Sequence, residues 1–445
     1  MINRTTPLQL EIEYLKISAL KSSPGNARKH SFEQLARLGA GIEKFGFTNP
    51  ALIDENNVII AGHGRVEAAR AVGLMEVPCI RLEHLGEAKK TALAIADNKL
   101  GELSSFDPAR LKNQIQILLD LDFPPELTGF STAEIDQILE VPDVVVVEQG
   151  SETFVEPDPT ASIVSRRGDL YALGDHRLLC GDALSPSDLQ RLLKNERADM
   201  VFTDPPYNLE IEGNVSGLGK IKHGEFAMAS GELSSDRFID FLDKFMSAAC
   251  QFTMVGSIHF ICMDWRHQFE IMLAGNRNYA ELKAVCIWNK TNGGMGSFYR
   301  SKYENVYVFK NGKAPHVNNI QLGKHGRYRT NVWDYAGVNT FRRGRLTELA
   351  LHPTVKPVGL VADAIRDCSR RGGLVLDPFI GSGTTILAAQ RTGRRARGIE
   401  IDPLYVDAAI RRWQDLTGKR AVLADDGRSF DDLSQTRTSE AGNVG

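Results

Sequence analysis

Four consecutive residues have the types needed for chemistry at a nitrogen atom. Asp204-Pro205-Pro206-Tyr207 follows directly on the apolar run Val201-Phe202-Thr203, at the carboxyl end of a predicted strand. Ligands of open α/β sheets bind at that end. An aromatic amine is a poor nucleophile because its lone pair is delocalised into the ring. A carboxylate at Asp204 and the backbone carbonyl of Pro205 can accept its two N–H groups and draw the nitrogen toward tetrahedral geometry. The lone pair then points at an electrophile. Pro205 and Pro206 stiffen the segment, so the carbonyl is aimed in advance. Tyr207 offers a face on which an extruded base can stack. The amine need not lose a proton before attack, so no strong base is required. A proline-rich turn alone would need neither the acid before it nor the aromatic after it.

A second string, Leu374-Val375-Leu376-Asp377-Pro378-Phe379-Ile380-Gly381-Ser382-Gly383-Thr384-Thr385, runs from an apolar strand through a glycine turn into a helix. Gly381 and Gly383 let the backbone approach a ligand closely, and the helix start offers unpaired N–H groups to an anion. No lysine precedes the Ser/Thr positions, so this is not the phosphate loop of an NTPase. Glu400, about twenty residues on at the end of the next strand, suits ribose hydroxyls. The pair fits an adenosyl ligand carrying a carboxylate rather than a pyrophosphate.

These residues need a scaffold, and the chain supplies one. Its 445 residues, 42% hydrophobic and 24% charged, suffice for two or three domains. Residues 1–140 read as a small α/β unit, with strands near 58–61 and 77–80 and helices over 66–72, 86–103, 108–121 and 132–139. Residues 141–162 carry five acids, three prolines and no base, and read as an acidic linker. From 163 to 423 strands alternate with helices, which indicates a largely parallel sheet covered on both faces. The tail 424–445 reads as disordered. No run of about 18 apolar residues suggests a membrane span. Six scattered cysteines without any C-x-x-C pair, and histidines without metal spacing, indicate a reducing, cytoplasmic setting and no metal.

The net charge of −3 conceals a segregation. Between Lys283 and Arg345 twelve Lys/Arg face two acids, Glu304 and Asp334, so the remainder carries about −13. The basic insert, about 289–346, interleaves Arg300, Lys302, Lys324, Arg327, Arg329, Arg342, Arg343 and Arg345 with Phe, Tyr, Asn and Gly. That mixture suits phosphates plus base edges of DNA.

As a set, these strings resemble the amino-methyltransferases of DNA, in the permuted group whose catalytic Asp-Pro-Pro-Tyr precedes the cofactor loop. The resemblance spans about residues 168–418. His352-Pro353-Thr354-Val355-Lys356-Pro357 matches a family motif near the cofactor, and Gly181-Asp182 a position beside its adenine. It implies a Rossmann-like doubly wound mixed sheet and S-adenosylmethionine held by Asp182, Thr354, Lys356, Asp377, Pro378, Phe379, Gly381, Ser382, Gly383, Thr384 and Glu400. It also implies catalysis by Asp204 through Tyr207 on double-stranded DNA near the nucleoid. Adenine N6 is favoured over cytosine N4. The alternatives are N4-cytosine transfer, a DNA-binding regulator with a decayed methylase half, and an RNA or protein methyltransferase.

Residues 10–106 resemble the ParB-like domain. There Gly62-His63-Gly64-Arg65, with Ala96-Asp97-Asn98-Lys99, is read either as a nucleotide-phosphate site or as a helix-starting turn in an accessory DNA-binding or dimerising module. Asp264-Trp265-Arg266-His267 edges the cofactor pocket or simply caps a helix at Asp264.

Overall fold

The computed structural model describes residues 10–140, 162–208, 231–291, 293, 298–323, 327–336 and 356–442, and the chain divides into two units, 1–147 and 148–445.

The first unit is built on a four-stranded sheet of order β1-β4-β2-β3, with β1 Ile12–Lys16, β2 Ala51–Ile53, β3 Ile59–Ala61 and β4 Glu76–Arg81. Ile17, Ile53, Ile59, Val66, Val77 and Cys79 pack beneath it. Gly62 takes φ 96° and starts the helix His63–Ala71, a conformation that carries no penalty only for glycine. Gly64 lies against His30, where a Cβ would sit 2.7 Å from the imidazole. Helices Glu87–Lys99, Pro108–Asp120 and Thr132–Glu140 follow, the middle one capped by Asp107 with Pro108 in its first turn.

The second unit holds a ten-stranded mixed sheet. Its strands are β5 Leu170–Leu173, β6 His176–Cys180, β7 Ala198–Thr203, β8 Thr253–Met263, β9 Glu281–Asn289, β10 Tyr303–Lys310, β11 Val332–Asp334, β12 Leu374–Asp377, β13 Arg395–Glu400 and β14 Val422–Leu423. The order is β11-β9-β10-β8-β7-β12-β13-β6-β5-β14. β8, β7, β12, β13 and β6 form a parallel centre. β10 and β5 border it antiparallel on either side.

The two-residue period of β7 fixes the layers. Met200 and Phe202 face one core with Val361, Ile365 and Ile386, whereas Val201 faces the other with Leu189, Leu192 and Ala249. Helices therefore cover both faces, as expected. Buried on both sides, β12 and the end of β7 carry short apolar runs, Leu374–Leu376 and Met200–Phe202, whereas β13 buries Arg397, which pairs with Glu196.

The tail is a correction. Rather than being disordered, the chain after Ala424 forms the helix Phe430–Gly442. Phe430 packs edge-on against Tyr171, Leu433 is fully buried, and Arg437 pairs with Asp169. Two apolar anchors, with the ion pairs Arg437–Asp169 and Arg191–Asp425, hold a segment whose composition is polar.

Candidate active site

The parallel centre brings the carboxyl ends of β7, β12, β13 and β6 to one rim. β10 and β9 run so that Glu304 and Asn289 arrive at that rim too. The two strings therefore meet. β7 ends at Thr203 and passes into Asp204-Pro205-Pro206-Tyr207, and its neighbour β12 ends at Asp377 and passes into the glycine loop.

The Asp204–Tyr207 loop is held from both sides. Thr203, fully buried, donates to Asp377 across 2.8 Å. Beyond Tyr207, Asn208 adopts φ 53°, donates to the Leu233 carbonyl at 2.8 Å and accepts from Gly231 and Leu233 N–H. Pro205 is buried, and Asp204, Pro206 and Tyr207 are half-buried.

Asp204 sits in a chain of alternating charges. One carboxylate oxygen, Oδ1, accepts from the Tyr207 hydroxyl, and Oδ2 lies 2.6 Å from Lys356 Nζ. Lys356 Nζ is also 2.9 Å from Glu304 Oε2 and 3.2 Å from the Tyr207 hydroxyl. Glu304 Oε1 pairs with Lys290. Lys290 and Lys356 both lie over the Trp288 ring, at 4.7 and 5.7 Å. Burial pushes the Asp204 carboxyl up from the usual carboxylate range, and Glu304 adds to this while Lys356 pulls against it. Burial also opposes ionisation of Glu304, but Lys356 and Lys290 flank it and hold its carboxyl down to about 2. Lys356 loses solvation on burial, yet its two carboxylates keep it charged. Burial, with Asp204 and Glu304 beside it, raises Tyr207 far enough to keep it a phenol.

The second loop divides its labour. Asp377 is turned into the fold, accepting from Thr203, from Thr385 Oγ1 at 2.6 Å and from Phe379 N–H at 3.1 Å. Burial raises its carboxyl to about 7. Pro378 is buried, and the Phe379 ring packs on Phe245 at 5.3 Å. Ser382 is anchored by Arg412, whose guanidinium donates to its carbonyl and hydroxyl. Gly383 takes φ 86° where a Cβ would meet that of Ala409 at 2.7 Å, and Thr384 starts the helix Thr384–Thr392. Gly381 differs: a Cβ there would meet nothing within 4 Å. Its N–H donates to Glu400 Oε2 at 2.9 Å, while Asp402 N–H holds Oε1. Burial, opposed by those two N–H groups, raises Glu400 to about 7. Gly181, just before Asp182, donates to the Glu400 carbonyl at 2.9 Å. Open space over Gly381, with Glu400 and Asp182 at adjacent strand ends, fits an adenosyl ligand.

Several residues singled out in the sequence take definite partners here. Lys356, expected at the cofactor, pairs with Asp204 and Glu304. Arg327 and Arg329, expected to face DNA, pair with Asp367 and Asp363, with the Arg327 side chain 7% exposed. Their charge is neutralised inside the fold by two carboxylates of the helix Val358–Cys368, so they offer none to a phosphate. Of the two readings of Asp264, the cap is the one seen, its side chain accepting from Arg266 N–H. Arg300 and Lys302 are exposed, as are Phe298, Tyr299 and Tyr328. Thr354, Lys324, Arg342, Arg343 and Arg345 lie outside the described residues. Thr203, Asn208, Lys290, Trp288 and Glu304 are site residues that sequence reasoning missed. Only Glu304 left a trace, as one of two acids in a basic window, at the start of an apolar strand. In the first unit Arg28 donates to Asn98 at 2.6 Å, while the buried Arg65 Nε has no hydrogen-bond partner.

Among the described residues no cluster of His, Cys, Asp or Glu could hold a metal, and no helix is long and apolar enough to cross a membrane. Residues 198–411 match a DNA methylase family, residues 109–167 the ParB-methyltransferase HTH domain, and residues 3–99 the ParB N-terminal domain. The DNA adenine methyltransferase YhdJ of Escherichia coli (strain K12) is 30% identical over 261 residues, 53% of this chain and 81% of that protein. The ParB-like nuclease domain-containing protein YnaK of the same organism is 48% identical over 82 residues, 18% of this chain and 94% of that one. Among solved structures, the M1.HpyAVI-SAM complex is similar at 22% identity, covering 53% of this chain and 97% of that chain, with a TM-score of 0.39.

Proposed function

Because this chain belongs to the DNA methylases of the N6-adenine/N4-cytosine family and carries a ParB-like domain, we propose that it methylates N6 of adenine at a specific site in double-stranded DNA. The single observation that carries this reading is the adjacency of Asp204 and the Gly381 loop at one rim, on neighbouring strands joined by Thr203 and Asp377. S-adenosylmethionine, when bound, supplies an electrophilic methyl group. Gly381, Glu400 and Asp182 would hold it.

The chain's own residues do the rest. Asp204 and the Pro205 carbonyl accept the amine N–H groups and orient its lone pair. Tyr207 is fixed by its hydroxyl, which leaves its ring as a wall for an extruded base. The preference for adenine is supported by the Asp at the head of the tetrapeptide and by the likeness to YhdJ.

DNA contact is assigned to the methyltransferase unit, at the exposed Arg300 and Lys302 with Phe298, Tyr299 and Tyr328. Lys324, Arg342, Arg343 and Arg345 join them from the sequence. The helical segment 107–140 carries seven acids against two bases, which repels a polyanion. A nucleotide phosphate at Gly62–Arg65 is supported by the unpartnered Arg65 Nε. A cytoplasmic location follows from the substrate.

The test is transfer of labelled methyl from S-adenosylmethionine to unmethylated DNA, followed by nucleoside mass spectrometry. N6-methyladenine is expected, and Asp204→Ala abolishes it. N4-methylcytosine alone would overturn the choice of base, and no product from the intact chain would overturn the enzymatic reading.

A further inference from the structure

The Lys290–Glu304–Lys356–Asp204 chain poses a problem that amine methylation alone does not explain. Burying the Lys356 ammonium and the Glu304 carboxylate between two half-buried charges is costly, and apolar residues of similar volume are often as stabilising. A role in folding therefore accounts poorly for it. The cluster also competes with the reaction. An ammonium at 2.6 Å from Asp204 Oδ2 is a stronger donor than a neutral amine. The target amine cannot win that oxygen unless the ammonium has another seat.

Glu304 is that seat. Lys356 Nζ already lies 2.9 Å from Glu304 Oε2, so a small shift keeps the ammonium paired while it frees Asp204 Oδ2. Lys290, on Glu304 Oε1, fixes the receiving carboxylate from its far side. Resting on the amino-methyltransferase reading, we infer that Glu304 is a positioning residue: it receives the Lys356 ammonium, which caps Asp204 in the absence of a target amine and withdraws when one arrives. No bond is made or broken in this exchange.

The groups facing Asp204 are Tyr207 on its own loop, Lys356 before the helix Val358–Cys368 and Glu304 on β10, with Lys290 after β9 paired to Glu304 and with Cys262 on β8 and Asp377 on β12 nearby. Burial keeps the Cys262 thiol protonated, so the four-residue chain sets the balance. With all four ionised its net charge is zero.

The consequences of removing each member have opposite sign. Lys356→Met leaves Glu304 its Lys290 and Asp204 no ammonium, so Asp204 holds a proton more readily. The acid limb of kcat then moves to higher pH, and activity returns in alkaline buffer. Glu304→Gln leaves Lys356 only Asp204. The acid limb moves to lower pH, and kcat falls about tenfold to a hundredfold with the KM for DNA little changed. The double variant removes both the cap and its alternative seat, and recovers part of what either single variant loses. Lys356→Arg keeps the charge and leaves the limb in place.

The experiment is the pH profile of methyl transfer to unmethylated plasmid DNA by the full chain and these four variants, each checked for native circular dichroism. Opposite limb shifts with partial recovery in the double variant support the inference. Unmoved limbs, shifts of the same sign, or additive losses with an active wild type overturn it alone. An inactive wild type overturns the methyltransferase reading and this inference with it.

Discussion

The Thr203 hydroxyl donates to the Asp377 carboxylate across 2.8 Å, and both side chains are buried. The bond joins the last residues of β7 and β12, immediately before the Asp204–Tyr207 loop and the glycine loop. The separation of the two loops thus rests on one hydrogen bond in addition to the strand pairing. Thr203→Val removes that bond while keeping the shape, and Asp377 retains Thr385 and the Phe379 N–H. The expected loss is about 1.5–3 kcal/mol, the range for a hydrogen bond to a charged group. Transfer should slow at the same time. Urea midpoints and single-turnover rates measure the two effects, and a destabilised variant with an unchanged rate would show that the bond supports folding alone.

Gly381 and Gly383 separate folding from binding. At Gly383 an alanine must adopt φ 86° and place its Cβ 2.7 Å from that of Ala409, so Gly383→Ala lowers the melting temperature. At Gly381 the left-handed backbone costs an alanine about 1–2 kcal/mol, but no atom stands in its way. Gly381→Ala therefore folds and loses cofactor affinity, because the added methyl enters the space proposed for the ligand. Calorimetric titration with S-adenosylmethionine distinguishes the two variants. Undiminished affinity in Gly381→Ala would move the cofactor elsewhere.

Arginines of one basic window have opposite duties. Arg327→Ala strips a buried partner from Asp367, itself 2% exposed, and should cost about 3–5 kcal/mol. The double variant Arg300→Gln/Lys302→Gln leaves stability within about 0.5 kcal/mol of the original. It reduces the salt dependence of DNA binding by about 0.9 in logarithmic slope for each phosphate that is no longer neutralised. Thermal melts and binding across a salt series provide the readouts. Equal slopes for the variant and the original would remove Arg300 and Lys302 from the DNA face.

Asp377 and Glu400 titrate near pH 7 in the folded chain, because burial raises both to about 7. Raised carboxyls bind protons more tightly folded than unfolded. Their contribution to stability is therefore full below the ordinary carboxylate range and declines as pH climbs to about 7. A cationic ligand beside them has the reverse preference and favours the ionised forms. S-adenosylmethionine affinity should thus rise with pH up to about 7 and level off above it, with proton release on binding. Calorimetry in two buffers of different ionisation enthalpy measures that release. Affinity independent of pH would place both carboxyls out of the ligand's reach.

Local patterns were legible where the physics is local. An apolar run followed by Asp-Pro-Pro-Tyr reads as a strand leading into a rigid loop, and Gly381-Ser382-Gly383 as a turn into a helix, because turn chemistry depends on neighbours in the chain. The tail misled for the same reason: its polar composition outweighed Phe430 and Leu433, whose partners lie far away in sequence, Tyr171 among them.

The amino-acid sequence by itself determined the two reacting strings, the covered parallel sheet and the segregation of positive charge, since each is written in residue type and short-range period. Tertiary structure alone decided which charges are spent. Lys356 lies 152 residues from Asp204, and Arg327 lies 40 from Asp367. A charge in the sequence looks solvated until folding removes its water, and only then does the nearest opposite charge fix what it does.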